Sequence, residues 1–75
     1  VASEWDRQEG GSHYKQFAVQ PSEFIYKNKL GWFAGNAVKY ICRAPFKGTA
    51  VQDIRKAIHY LQLWLEELEK EEKGG

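Results

Sequence analysis

Residues 51 to 68 run Val51-Gln52-Asp53-Ile54-Arg55-Lys56-Ala57-Ile58-His59-Tyr60-Leu61-Gln62-Leu63-Trp64-Leu65-Glu66-Glu67-Leu68, and a first set of apolar side chains recurs at Val51, Ile54, Ile58, Leu61, Leu65 and Leu68. Steps of three and four in alternation are the spacing of a heptad seam, so this stretch is expected to be a long amphipathic helix. A second stripe, Ala57, Tyr60 and Trp64, widens the apolar face, with Leu63 on its flank. A helix of roughly 22 residues is about 33 Å long.

Upstream, Gly48 marks a turn and Thr49 is placed to cap the helix, with Gln52 three residues on to complete a capping box. Before that turn, Ala34, Ala37, Val38 and Ile41 sit at offsets 0, 3, 4 and 7, which predicts a helix over Trp32 to Arg43 with a narrow, small-residue stripe. Pro45 stops it. This second helix is only about 18 Å long at 1.5 Å per residue, so the third outruns it. Ile58, Leu61, Trp64, Leu65 and Leu68 are then expected to remain uncovered on a monomer and to form an oligomer interface. Further upstream Pro21 suits a first helical position, so Gln20 reads as a cap and Ser22 to Lys29 as a short helix with Phe24, Ile25 and Leu30 facing in, ended by Gly31.

His13 to Val19 alternate weakly and read as an extended arm docked on the helices. Residues 1–12 are expected to be disordered or loosely docked, and Gly74-Gly75 to lie outside the helix. The expected architecture is thus all-α: an N-terminal extended arm, a short helix and a helical hairpin with a long C-terminal amphipathic helix, in one small oligomeric domain over 13–73.

The 75 residues include one cysteine, so no internal disulfide forms, and no apolar run approaches the length of a membrane span. With no basic-then-apolar leader and no initial methionine, a trimmed N-terminus and a cytoplasmic home are expected. At this length a lone core is marginal, which again favours a partner. The net charge of +1 conceals a gradient: residues 1–12 carry −2, residues 13–59 carry +6 and residues 60–75 carry −3. A basic centre between acidic ends points to an anionic partner.

Within that centre Asn36, Lys39, Tyr40 and Arg43 repeat the 0, 3, 4, 7 spacing, so one face of the second helix presents an amide, an ammonium, a phenol and a guanidinium. Arg supplies a fork for phosphate oxygens, Lys a point charge, and Tyr a ring for a base. Lys47, Arg55, Lys56 and His59 come within reach if the helices fold back as a hairpin; a plain solvated basic face is the alternative. Gly35 is costly inside a helix and implies a close approach. Cys42 reads as core, Asp53 as a partner of the helix dipole, and His13, His59 and Cys42 as too few and too scattered for a zinc site. The third helix is too apolar and too acidic at its end for sequence-specific DNA reading.

The strings His13-Tyr14-Lys15, Gln20-Pro21 with Glu23-Phe24-Ile25, Gly35-Asn36-Ala37-Val38-Lys39-Tyr40-Ile41-Cys42-Arg43, Lys47-Gly48, and Asp53-Ile54-Arg55-Lys56-Ala57 with Tyr60-Leu61 resemble the SaV-like family of small tailed-phage proteins. That family takes its name from a lactococcal phage protein conferring sensitivity to abortive infection. Some larger relatives are described as phage nucleotide kinases lacking the usual phosphate loop. The resemblance implies a phage accessory protein in the cytoplasm of an infected bacterium, and nucleotide handling. Asn36, Lys39, Tyr40, Arg43, Lys47, Lys56, His13 and Lys15 are the expected ligand-binding residues for a nucleotide or nucleotide-derived signal. No cofactor is expected. The alternatives are a nucleoside monophosphate kinase, in which Asp53 would place Mg²⁺ with ATP, and a module that presents the apolar seam to a host protein.

Overall fold

A computed structural model describes residues 17–46 and 48–74. Among them the chain is all-helical: α1 (Pro21–Lys27), α2 (Trp32–Arg43) and α3 (Ala50–Gly74). The expected arm falls mostly outside the described residues. Within them, Phe17 sets its ring edge-on against Phe46 at 5.6 Å, beside the α2–α3 turn.

Pro21 starts α1 from an extended Gln20, whose carbonyl accepts the first helical bond from the Phe24 N–H. The helix stops at Lys27, two residues short of expectation. Lys29 takes a left-handed φ of 57°, its N–H donates to Tyr26 O and the Leu30 N–H donates to Ile25 O. These two bonds form a Schellman motif with lysine in the position usually held by glycine. Gly31 is therefore not the terminator of α1 but the extended N-cap of α2. Nor does Phe24 face in, being 45% exposed.

The bounds of α2 agree with the sequence reading. Its stripe does not wholly: Ala37 is buried, Ala34 and Val38 are half-buried, and Ile41 is exposed. Gly35 explains the close approach of α1, since a Cβ there would lie 2.9 Å from Ile25 Cγ2. Alanine gains about 1 kcal/mol over glycine in a helix, while overpacking costs roughly 1–3 kcal/mol. Gly35→Ala should therefore destabilise by about 1 kcal/mol in urea titrations. In an Ile25→Ala background, where the γ2 methyl is gone, the same change should stabilise.

Thr49 accepts the Asp53 N–H through its carbonyl and so holds the cap position of α3. The expected capping box is not made, because the Thr49 hydroxyl donates to Asp53 Oδ2 at 2.9 Å instead. At the other end α3 runs on through Gly74, a residue that weakens a helix least in the last turn.

The sequence reading names two apolar stripes on α3, and one of them meets α2. Asp53 and Ala57 are buried and Lys56 and Tyr60 half-buried, whereas the heptad seam lies about a quarter-turn away and is exposed throughout. Small residues decide this: Ala37, Ala44 and Ala57 are the buried hydrophobic residues among those described, and they let the two backbones approach as bulky Leu and Ile would not. Tyr60 meets Trp32, the first residue of α2, so α2 has no more length to offer. From Leu61 to Gly74 every residue is exposed. The radius of gyration is 14.6 Å, against about 11 Å for a compact chain of this length.

Candidate functional site

The hairpin brings the end of α2 against the start of α3. Asp53 is 1% exposed, its carboxylate taking the Thr49 hydroxyl on one oxygen and lying 3.7 Å from Arg43 Nε on the other. Arg43 Nε is itself buried and has no hydrogen-bond partner, so the contact is coulombic. Asp53 is thus more than a dipole partner: it is the buried counter-charge that ties the two helices. A stripe continued one turn upstream from Ala57 and Tyr60 lands on Asp53, which is the sequence signal for this role.

One turn back along α2 from Arg43, the Tyr40 ring lies nearly parallel to Tyr60, at 5.9 Å and 13°. Trp32 meets Tyr60 edge-on at 6.2 Å and His59 lies tilted at the same distance. Three cations surround Tyr40: Lys56 Nζ at 5.2 Å from the ring centroid, Arg43 Cζ at 5.5 Å and Lys39 Nζ at 5.6 Å. Each is held in part by the negative face of the ring. Among the described residues the one carboxylate paired with this group is Asp53, which leaves an excess of two positive charges in a small volume.

The expected row is thus only partly assembled. Lys39, Tyr40, Arg43 and Lys56 converge. Asn36 does not point a free amide at them, since its Nδ2 donates to the Trp32 carbonyl at 2.8 Å. Tyr40 has one ring face on Tyr60, so it serves to hold the cations rather than to offer that face to a base. His13, Lys15 and Lys47 lie outside the described residues. Arg55 and His59 are exposed.

A groove of about 350 Å³ adjoins the cluster, lined by Ile25, Tyr26, Trp32, Gly35, Asn36 and Lys39. Tyr26 and Trp32 are 72% and 70% exposed, so aromatic surface stands in the groove at one end and an ammonium at the other. The sequence reading missed this groove, because its walls come from two helices. Cys42 is half-buried, and desolvation pushes its thiol above the ordinary value, which lowers its reactivity. Among the described residues no group of three or more His, Cys, Asp or Glu side chains gathers to hold a metal ion. Among them, too, no helix is long and apolar enough to cross a membrane.

The expected interface residues are all uncovered: Ile58, Leu61, Trp64, Leu65 and Leu68 are between 38% and 56% exposed.

No curated protein and no solved structure matches the chain. A family model described as a protein of unknown function, DUF3310, matches residues 8–62. Those residues contain the whole cationic cluster, the groove and Asp53, and they make up more than half of the sequence. The chain belongs to the DUF3310 family.

Proposed function

We propose that the α2–α3 face binds a phosphate-bearing small molecule, a nucleotide or a nucleotide-derived signal. The observation that carries this reading is the convergence of Lys39, Arg43 and Lys56 on one tyrosine ring with, among the described residues, a single buried carboxylate to offset them. Like charges held this close repel, and an anion relieves the repulsion while gaining charge-assisted bonds. The groove beside Lys39 suits the organic part of such a ligand. Trp32 and Lys39 are seven residues apart on α2, about 10 Å, a span that a base with its sugar and phosphate bridges.

The resemblance to SaV-like proteins adds nucleotide handling and a phage accessory role in an infected cell to this proposal. The kinase alternative would use Asp53 to place Mg²⁺, yet that carboxylate is 1% exposed and occupied by Thr49 and Arg43. Binding without turnover is the better-supported form.

Calorimetric titration with nucleoside mono- and triphosphates, cyclic dinucleotides, inorganic phosphate and a neutral nucleoside tests it. A phosphate-bearing ligand should bind more tightly than both the neutral nucleoside and inorganic phosphate, and binding should weaken as salt rises. Equal affinity for the neutral nucleoside, or no heat from any ligand, would overturn the proposal. Incubation with ATP, Mg²⁺ and nucleoside monophosphates should give no phosphoryl transfer.

A further inference from the structure

We propose that two copies of this chain pair antiparallel through the exposed seam of α3, with a two-fold axis close to Gln62. The seam is a long apolar strip that no element among the described residues covers: Val51, Ile54, Ile58, Leu61, Leu65 and Leu68 are 40% to 66% exposed. Among the described residues the buried hydrophobic ones are three alanines, so helices with so little apolar core between them gain most from a partner along this strip.

The occupant is a second copy because the seam and its border are self-complementary. Arg55, Gln62 and Glu69 are exposed and follow one another at intervals of seven, along the edge of the seam away from α2. Arg55 is seven residues before Gln62 and Glu69 seven after it. When two such helices run in opposite directions, this edge faces its own copy, so Arg55 meets the partner's Glu69, Gln62 meets the partner's Gln62, and Glu69 meets the partner's Arg55.

The same register sets Ile58 opposite the partner's Leu68 and Leu61 opposite the partner's Leu65. Trp64, on the edge nearer α2, comes to lie beside the axis. The overlap of residues 54–72 is about 28 Å long. A parallel pair would instead place the −3 of residues 61–74 beside an identical −3, five glutamates against five. Antiparallel pairing sets that acidic end against the half of α3 that carries Arg55 and Lys56, and opposes the two helix dipoles. Each copy keeps its own cationic cluster, so the pairing stands or falls independently of ligand binding.

Sedimentation equilibrium of the wild type, with circular dichroism at the same concentrations, is the first measurement. A dimer at tens of micromolar is expected, with a thermal midpoint that rises with concentration. A folded monomer under those conditions overturns the proposal, and would leave the seam to a different protein. Leu61→Glu, which alters two layers of the dimer, should raise the dissociation constant more than about 100-fold. Leu61 is already 43% exposed, so the variant should keep its helix content.

Orientation is read separately. On a Cys42→Ser background, a mixture of Ile58→Cys and Leu68→Cys proteins should form a disulfide-linked pair on mild oxidation, and neither protein alone should do so. Arg55→Glu and Glu69→Arg should each weaken the dimer on the order of 10-fold, and the double variant should restore it. Cross-linking of either cysteine protein alone, or a double variant as weak as the singles, overturns the antiparallel arrangement.

Discussion

Replacing Asp53 by alanine should lower the free energy of unfolding by about 2–3 kcal/mol, measured by urea titration followed by circular dichroism. Removing one member of a buried ion pair costs roughly 3–5 kcal/mol, because the other is left desolvated and unpaired. The lower figure applies here since the Arg43 side chain is 27% exposed and stands 3.7 Å from the carboxylate without a hydrogen bond. Against a total of about 4–11 kcal/mol for a chain of this size, the loss is large. Asp53→Ala also strips a buried carboxylate from beside three cations, so like-charge repulsion adds to the cost.

The source of the effect can be dissected. Thr49→Val removes the 2.9 Å bond to Asp53 but not the charge, and should cost about 1 kcal/mol. Asp53→Asn keeps the shape and loses the charge, and should fall between Thr49→Val and Asp53→Ala. Asp53→Leu with Arg43→Met replaces the whole pair by apolar groups, and should recover most of the loss. An unchanged midpoint for Asp53→Ala would mean that the α2–α3 hairpin is held by its alanine and aromatic contacts without the ion pair.

Local chemistry made the helix boundaries legible. Trp32–Arg43 is bracketed by Gly31 and Pro45, and α3 begins after Gly48-Thr49, where the turn residues announce themselves. The end of α1 was not legible, because a lysine occupies the left-handed position and nothing in its side chain advertises it. The face of α3 that packs on α2 does not follow from hydrophobicity alone. Hydrophobicity gives the Leu and Ile seam first place, whereas close packing against Ala37 and Ala44 needs small surfaces such as Ala57. The seam's exposure from Leu61 onward agrees with the overhang expected from the two helix lengths, whereas Val51, Ile54 and Ile58 are exposed because their face turns away from α2. Periodicity placed Lys39, Tyr40 and Arg43 together, but it could not give Tyr40 its neighbour: Tyr60 is twenty residues away and arrives only when the hairpin closes. Asp53 hid behind the usual preference for acids in a first helical turn.

Because Arg43 also offsets Asp53, its substitution confounds binding with stability, and the cleaner probes of the cluster are Lys39 and Lys56. Lys56 is half-buried and Lys39 exposed, so a charge-assisted bond from Lys56 is the stronger of the two. Lys56→Ala should weaken binding of a phosphate-bearing ligand about 10-fold, Lys39→Ala about 5-fold, and the double variant about 50-fold, with 1.4 kcal/mol per factor of ten. The salt dependence should flatten with each charge removed.

Tyr40→Phe keeps the ring that the three cations surround and should bind within about 2-fold of wild type. Tyr40→Ala also breaks the stack on Tyr60, worth about 0.5–1.5 kcal/mol, and should lose both stability and affinity. The free protein provides the discriminating sign. Without ligand, Lys39 and Lys56 repel each other and Arg43, so Lys56→Ala should raise unfolding stability by a few tenths of a kcal/mol while it lowers affinity. A merely structural lysine would lose stability on removal, and a solvated one would change neither. Opposite signs in the two measurements on the same variant are the signature of a site whose like charges are kept together for an anion.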